Sequence, residues 1–317
     1  MVTGGAGFIG SNLVDRLIAE GNQVDVVDDL TTGRLHNLSE ARSAGGGVFS
    51  FHQLDVRSPE VVELIGRRRP EVIFHLAAQA DVRVSVQRPV FDAEVNVVGT
   101  LRVLEGARAA GTARIVFAGS GGTLYGALDD DELPVRETAP HRPLSPYGVS
   151  KKSAIDYLVC FRELHSLEFC ALALANVYGP RQDPHGEAGV VAIFASRMLE
   201  GKSATIFGDG SQTRDFVFVD DVVDAMVRAA VRGGGLLLNI GTGKEVSITE
   251  LHDVMARSCG SQVQPVHAPE RPGELLRSAL DPARAAIHLG WRPFTSLDSG
   301  IEAVFDHFGP RNPGRGC

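Results

Sequence analysis

Hydrophobic residues in the first 175 positions fall into short runs that alternate with helix-length amphipathic stretches. The runs are nearly continuous in Val, Ile and Phe, which is typical of strands covered on both faces. The predicted strands are Gln23–Asp28, Val48–Asp55, Val72–Ala77, Arg114–Ser120 and Glu168–Ala175. The predicted helices are Phe8–Glu20, Pro59–Arg68, Asp92–Ala110 and Pro146–Leu164. This alternation predicts right-handed strand–helix–strand units and therefore an α/β fold with a doubly wound parallel sheet.

The pattern loosens after residue 175, where residues 178–189 form a predicted loop rich in Pro and Gly. Shorter predicted elements follow, namely helices at Val190–Leu199, Asp220–Val231 and Ile248–Arg257 and strands at Ala204–Phe207 and Leu236–Ile240. We therefore expect a sheet domain over 1–175, a smaller α/β substrate-binding lobe over 176–308 and a flexible tail over 309–317. Only three residues precede the first glycine, so we expect a clipped first strand or a native start upstream of Met1.

Composition narrows the class of protein. The 317 residues are 44% hydrophobic and 22% charged, which suits a globular protein with a large core. The net charge of −8 argues against nucleic-acid or anionic-membrane partners, since both require a basic face. The four cysteines form no C-x-x-C pair, so neither a metal site nor a disulfide framework is expected. Without a signal peptide or a long apolar run, the sequence predicts a cytoplasmic protein.

A glycine-rich loop directly precedes the first predicted helix. Gly4 permits a tight turn, Gly7 lets the backbone approach a pyrophosphate, and Gly10 allows close packing of the helix. Phe8 and Ile9 lie between them, at the positive end of the helix. Asp28 ends the next strand 18 residues after Gly10, where an acid accepts hydrogen bonds from ribose hydroxyls and repels a 2′-phosphate. The pattern predicts a Rossmann-type domain that binds NAD rather than NADP.

Two further groups of residues fit this interpretation. Asp55 and Val56, at the end of the third strand, are placed to contact the adenine edge. Tyr147 and Lys151 lie four residues apart at the start of a predicted helix and so share one face. An ammonium beside a phenol favours the phenolate, which makes Tyr147 a candidate base near neutral pH.

Together these motifs resemble a known family. The stretches TGGAGFIG (3–10), YGVSK (147–151) and NVYGPR (176–181) are similar to those of extended short-chain dehydrogenases/reductases. Within that superfamily the chain resembles the NAD-dependent epimerase/dehydratase family, above all the bacterial UDP-glucose 4-epimerases, from Met1 to about Phe308. The resemblance implies an isomerase that interconverts UDP-glucose and UDP-galactose through a 4-keto intermediate with NAD, and it implies a homodimer formed by the helices at 92–110 and 146–164.

The resemblance also implies roles for individual residues. Tyr147 and Lys151 match the catalytic pair and also contact the cofactor, as do Asn96 and the strand end formed by Leu76, Ala77 and Ala78. Many relatives carry a third catalytic residue, Ser or Thr, at the position of Gly121. Ser120 and Thr123 are the possible substitutes, and Thr123 is preferred.

On the substrate side, the resemblance implies contacts between the nucleotide diphosphate and Asn176, Arg214 and Arg271. Arginine suits this role because its planar guanidinium binds phosphate through two hydrogen bonds. Glu274 matches a ribose contact, and Ser278 matches the position that limits the size of the sugar's 2-substituent. Val190 and Val191 match the uracil pocket.

Alternative functions remain open at this point. A UDP-glucuronate/UDP-galacturonate 4-epimerase would need only one or two extra donors near Thr123 or the 178–189 loop. A nucleotide-sugar 4,6-dehydratase or decarboxylase begins with the same oxidation. However, Gly122 and Thr123 stand where a dehydratase has Asp-Glu. A regulatory protein that senses NAD is disfavoured because the Tyr147–Lys151 pair is intact.

Overall fold

The computed structural model describes residues 1–127, 132–185, 189–271 and 275–309. Its strands in chain order are β1 (Val2–Thr3), β2 (Val24–Asp28), β3 (Phe49–Gln53), β4 (Val72–His75), β5 (Arg114–Ser120), β6 (Glu168–Leu174), β7 (Asn176–Tyr178), β8 (Thr205–Phe207), β9 (Thr213–Arg214), β10 (Phe216–Phe218), β11 (Leu236–Ile240), β12 (Val246–Ser247) and β13 (Val266–Ala268).

Each predicted helix has a counterpart in the structure, whereas the helices at Ser39–Ser43, Val82–Gln87, Gly121–Leu124, Ala283–Leu289 and Leu297–Phe308 were not predicted. The helices in chain order are α1 (Phe8–Ala19), α2 (Ser39–Ser43), α3 (Glu60–Arg68), α4 (Val82–Gln87), α5 (Pro89–Ala93), α6 (Gly99–Ala110), α7 (Gly121–Leu124), α8 (Pro146–His165), α9 (Val190–Leu199), α10 (Val219–Ala229), α11 (Ile248–Cys259), α12 (Ala283–Leu289) and α13 (Leu297–Phe308). No helix in the described ranges combines the length and apolar character needed to cross a membrane.

Seven parallel strands form the main sheet in the order β11-β6-β5-β4-β1-β2-β3. The predicted Rossmann-type fold is therefore confirmed. The direction of strand order reverses at β1, which lies between β2 and β4. In doubly wound sheets this reversal opens a crevice at the carboxyl ends of the strands, where ligands bind.

Helices cover the sheet on both faces. On one face, α3, α6 and α8 contribute the apolar cluster that includes Ile65, Leu104 and Leu158. On the other, α1 and α10 pack together and join a larger cluster that continues into the second half of the chain, through Leu13, Val222 and Trp291. Burial on both faces explains why the strands read as continuous apolar runs.

The second half of the chain contributes to both parts of the molecule. Three two-stranded sheets, β7 with β10, β9 with β12 and β8 with β13, lie outside the main sheet. The strand Leu236–Ile240, predicted to belong to the smaller lobe, instead pairs with β6 as an edge strand of the main sheet. The division of the chain at residue 175 into two domains stays a prediction. Gly309 ends α13, and the rest of the predicted tail lies outside the described residues.

One predicted helix is interrupted. The stretch Asp92–Ala110, expected to be a single helix, consists of the end of α5, a π-helix at Glu94–Val98 and then α6. The wider turn of a π-helix changes which side chains share a face, and such turns are frequent at functional sites. Asn96 lies within this turn.

Candidate active site

A cavity of about 700 Å³ follows the carboxyl edge of the main sheet. This volume is typical of a site for a small molecule or cofactor. Most of the predicted cofactor residues line it, namely Gly4, Gly7, Phe8, Ile9, Gly10, Asp28, Asp55, Val56, Leu76, Ala77, Ala78, Tyr147 and Lys151. The parallel sheet brings the loop residues together because they follow the carboxyl ends of β1, β2, β3 and β4, and α8 adds Tyr147 and Lys151 beside β5.

The three regularly spaced glycines of the loop, Gly4, Gly7 and Gly10, are required for different steric reasons. Gly4 has φ +70°, and a Cβ there would lie 2.6 Å from the backbone nitrogen of Ala77. A Cβ on Gly10 would lie 2.1 Å from the carbonyl oxygen of Gly4, so α1 could not pack against the loop. At Gly7 the nearest atom, Gly4 O, would be 3.3 Å away. The fold requires glycine at positions 4 and 10, whereas Gly7 keeps part of the cavity wall open.

The N-terminus of α1 has the features of an anion-binding site. Gly7 is the N-cap, no side chain caps the helix, and the first turn carries no acidic residue. The first N–H groups of a helix have no carbonyl partner within it, and they stand at the positive end of the helix dipole. A diphosphate over Gly7 would supply both the acceptors and the negative charge.

Asp28 organises the glycine loop. Its Oδ2 accepts a hydrogen bond from Ala6 N at 2.9 Å, and its Oδ1 accepts one from Leu30 N at 2.9 Å. Burial raises the pKa of this carboxyl, an effect that the two backbone donors oppose. The carboxylate lines the cavity with both oxygens directed by the backbone.

The wall beyond Asp28 contains a residue pair that the sequence analysis missed. Asp55 Oδ2 accepts a hydrogen bond from Arg57 Nε at 2.9 Å, and Arg57 holds the pKa of this carboxyl below its usual range. The Arg57 guanidinium lies 5.3 Å from the centroid of the Phe91 ring, and both residues line the cavity. The sequence analysis identified Asp55 and Val56 but missed Arg57 and Phe91. An isolated Arg or Phe is common in any sequence, so neither residue gave a recognisable signal.

Tyr147 and Lys151 lie at the opposite end of the cavity. The cap of α8 places them, because Ser145 Oγ accepts a hydrogen bond from Gly148 N and Pro146 opens the first turn. Both side chains are buried, at 9% and 4% exposure. Lys151 Nζ donates to Ala118 O at 2.9 Å and lies 5.8 Å from the Tyr147 ring centroid.

His75 is a structural residue beneath this site. Burial and the nearby charge of Lys151 lower its pKa to about 3, so the ring is neutral at physiological pH. Thr100 Oγ1 donates to Asn96 O, so it accepts from His75 Nε2 at 3.0 Å, and Nδ1 accepts from Thr3 Oγ1 at 2.7 Å. With both ring nitrogens engaged and 1% exposure, His75 is not available as a base.

Asn96 does not line the cavity. Its Oδ1 accepts from Gln79 N at 3.0 Å, and its Nδ2 donates to Gln79 O at 2.8 Å. Gln79 itself lines the cavity just after Leu76, Ala77 and Ala78. We call the loop after β4, residues 76–81, the cofactor loop. Asn96 fixes the backbone of this loop from the side that faces away from the cavity.

The two candidate hydroxyls flank Gly121. Leu280 fills the space beside this glycine, since a Cβ on Gly121 would lie 2.4 Å from Leu280 Cδ1. Ser120 ends β5, and Ala118 and Gly119 just before it line the cavity. The Oγ1 atom of Thr123 is buried and has no hydrogen-bond partner among the described residues.

The predicted substrate residues lie in the second half of the chain, outside the lining of this cavity. Asn176 is exposed at the start of β7, and its N–H donates to Asp215 O, next to Arg214. The Arg271 guanidinium lies 3.8 Å from the centroid of the Phe207 ring. Val190 is partly exposed at the start of α9, whereas Val191 is buried in the core. Glu274 lies outside the described residues.

Within the described ranges, no three His, Cys, Asp or Glu side chains form a cluster that could hold a metal ion.

Residues 1–304 match the family model described as GDP-mannose 4,6 dehydratase, a group of NAD-dependent epimerases and dehydratases. The chain belongs to this family. Its members share the Rossmann-type sheet seen here, and the predicted relationship is confirmed.

Individual members of the family are similar over nearly the whole chain. A UDP-glucose 4-epimerase of Mycolicibacterium smegmatis is 50% identical and covers 97% of both chains. The UDP-glucose 4-epimerase of Thermotoga maritima, solved with UDP-glucose, superposes with a TM-score of 0.93 at 43% identity and 97% coverage of both chains. That of Thermus thermophilus, solved with NAD, gives a TM-score of 0.89 at 42% identity and 97% coverage of both chains.

The glycine geometry predicts that Gly7→Ala and Gly10→Ala fail differently. Gly7→Ala is expected to keep the stability of the NAD-free protein but to weaken NAD binding by at least about tenfold, or about 1.4 kcal/mol. Gly10→Ala is expected to lower the unfolding free energy itself, because its Cβ overlaps Gly4 O. Urea unfolding of NAD-stripped proteins and calorimetric titration with NAD separate the two effects. Equal loss of NAD affinity and stability in both variants would contradict this assignment.

Proposed function

We propose that this protein is a nucleotide-sugar 4-epimerase that interconverts UDP-glucose and UDP-galactose. The observation that carries the proposal is the buried Tyr147–Lys151 pair, which lines the same cavity as the glycine loop, Asp28 and Asp55. The full-length identity to UDP-glucose 4-epimerases, 50% for one member, supports the choice of sugar nucleotide.

We assign NAD to this cavity. The start of α1 suits its diphosphate, Asp28 suits the adenosine ribose, and Asp55 with Val56 suits the adenine edge. Besides Lys151, which belongs to the catalytic pair, the cationic side chains in the described lining are Arg57 and Arg83. These are paired with Asp55 and Asp81, so neither is set aside for a 2′-phosphate. When bound, NAD accepts a hydride from C4 of the sugar and returns it.

Tyr147 is the proposed base and acid. Its phenolate oxygen takes the proton of the sugar 4-hydroxyl as C4 loses hydride, and it returns that proton when hydride is delivered to the opposite face of the 4-keto sugar. The protons and electrons balance over one cycle, and no external reductant is consumed. Lys151 stabilises the phenolate by its charge and is held in place by Ala118 O.

Thr123 is the proposed third catalytic residue. Neither Ser120 nor Thr123 is among the residues that line the cavity. The buried Thr123 hydroxyl lacks a partner among the described residues, which is costly, and a substrate hydroxyl would supply the missing hydrogen bond once this side chain turns toward the cavity. Gly148 lets this residue approach the catalytic helix, because a Cβ there would lie 2.6 Å from Thr123 O.

We assign the nucleotide of the substrate to the second half of the chain. Asn176 N donates to the carbonyl oxygen of Asp215, the residue after Arg214, and Arg271 lies over the Phe207 ring. Two guanidinium groups would neutralise the diphosphate. Val190 would border the uracil, whereas Val191, buried in the core, would support that wall from within. The proposed contact of Glu274 with the ribose rests only on the resemblance.

A cytoplasmic location stays a prediction.

We also propose a homodimer. The outward side of α8 carries Val149, Tyr157, Cys160 and Leu164 at spacings of one helical face, and Tyr157 and Leu164 are 39% and 70% exposed. A twofold axis would pair this stripe with itself and with Val98 near α6.

Proton NMR of the purified protein mixed with UDP-galactose, with no NAD added, is expected to show the signals of UDP-glucose. Turnover without added NAD is expected if the purified protein retains NAD, because the cofactor is regenerated in each cycle, and addition of NAD restores turnover to protein that has lost it. A parallel sample with UDP-glucuronate tests the alternative epimerase, and faster epimerisation there would replace the proposed sugar. A 4-keto-6-deoxy product or release of carbon dioxide would instead identify a lyase.

Removal of the Thr123 hydroxyl, the proposed third catalytic group, should slow the reaction. Thr123→Val keeps the shape of the side chain and is expected to lower kcat by about 10²-fold, because one hydrogen bond to the reacting oxygen is lost. Ser120→Ala is the matched control and should change kcat little. The reverse ranking, measured in the same epimerase assay, would assign the role to Ser120.

The dimer proposal predicts that charge on the stripe separates the subunits. Tyr157→Glu combined with Leu164→Glu is expected to convert a dimer into a monomer in analytical ultracentrifugation. Val231→Glu with Ile287→Glu is the matched control, since those side chains are 76% and 77% exposed elsewhere on the surface. A wild-type protein that sediments as a monomer would refute the proposal.

A further inference from the structure

Asp92 is an acidic residue with no exposed surface. It lies in the last turn of α5, directly before the π-helix. Carboxylates are rarely buried this completely unless they are paired or hydrogen-bonded. No Lys or Arg pairs with it among the ion pairs of the described residues, so its hydrogen bonds must account for its position.

Three donors from three separate segments converge on this carboxylate. Its Oδ1 accepts from Gln79 Nε2 at 3.0 Å and from Asn96 Nδ2 at 3.0 Å. Its Oδ2 accepts from Ser150 Oγ at 2.6 Å. Asp92 therefore connects the loop after β4, the π-helix and α8.

Each connected segment carries part of the site. Gln79 lines the cavity, and its Oε1 and Nε2 also bond the backbone of Asp81, which fixes the course of the loop. Ser150 lies on α8 between Tyr147 and Lys151 in sequence and is itself 4% exposed. A shift of α8 relative to the cofactor loop would therefore break the Asp92–Ser150 bond.

We propose that Asp92 is a positioning residue that, through Ser150, fixes the catalytic helix against the cofactor loop. This inference rests on the proposed function for Tyr147 and Lys151. Misplacement of reacting groups by about 1 Å can cost about 10²-fold in rate, so a single buried link of this kind affects turnover more than substrate binding.

Substitutions of Asp92 and Ser150 can separate a role of Asp92 in positioning α8 from a role of its negative charge. A serine hydroxyl can donate or accept. In Asp92→Asn, Oδ1 can keep accepting from Gln79 and Asn96 while the new amide donates to Ser150, at the cost of one unpaired N–H. Asp92→Ala loses all three bonds, and Ser150→Ala loses only the bond to α8.

The test compares kcat and KM for UDP-galactose in wild type, Ser150→Ala, Asp92→Ala, Asp92→Asn and the double variant Asp92→Ala with Ser150→Ala. We expect Ser150→Ala and Asp92→Ala to lower kcat by about 10- to 100-fold with KM changed less than about threefold. Asp92→Asn should recover most of the lost kcat. The double variant should be no slower than Asp92→Ala, since both changes break the same bond.

Ser153→Ala is the matched control, because Ser153 lies on the same helix and its hydroxyl bonds only Val149 O within that helix. Wild-type kcat in Ser150→Ala and Asp92→Ala would overturn the proposal. So would Asp92→Asn as slow as Asp92→Ala, which would point to the charge instead.

A second readout does not depend on the reaction. Amide hydrogen exchange at the start of α8 should be faster in Ser150→Ala than in wild type or Ser153→Ala, with NAD bound in all three. Unchanged exchange would overturn the link. If wild type converts no UDP-sugar, the proposed function fails, and the exchange experiment still decides whether Asp92 fixes this helix.

Discussion

The arrangement of the site depends on a close approach of three backbone segments at the sheet edge. The loop after β1 lies against the end of β4 and against α1 so tightly that a single Cβ at Gly4 or Gly10 would overlap backbone atoms. This contact directs the start of α1 at the crevice between β1 and β4, where the strand order reverses. The remaining parts of the cofactor site are then positioned by the ends of neighbouring strands.

Below that edge, polar side chains maintain the spacing. His75 joins Thr3 to Thr100, Asn96 holds the backbone of Gln79, and Asp92 joins that loop to α8. All are buried, and each uses hydrogen bonds rather than an ion pair. Such networks specify one arrangement of the segments they connect, because an unpaired buried polar group is costly.

The features predicted from sequence are those with a local cause. The glycine spacing required one loop geometry, and Ser145-Pro146 marked the start of α8. The π-helix was missed because the widening of a single turn over Glu94–Val98 is too short to change the hydrophobic period of the surrounding helix. The strand Leu236–Ile240 was predicted in the smaller lobe but belongs to the main sheet. Its partner, β6, lies more than 60 residues earlier in the chain, so no local pattern indicated this pairing. Asp92 was missed because an acid on a predicted helix is normally exposed.

The two backbone hydrogen bonds of Asp28 constrain how this protein could change its cofactor. Its carboxylate accepts from the N–H groups of Ala6 and Leu30, so the residue proposed to select NAD also holds the loop that binds the diphosphate. Replacement by a neutral or basic residue would remove the repulsion of a 2′-phosphate and would release the loop in the same step. Evolution or engineering toward NADP would therefore need a second substitution that restores those two backbone hydrogen bonds.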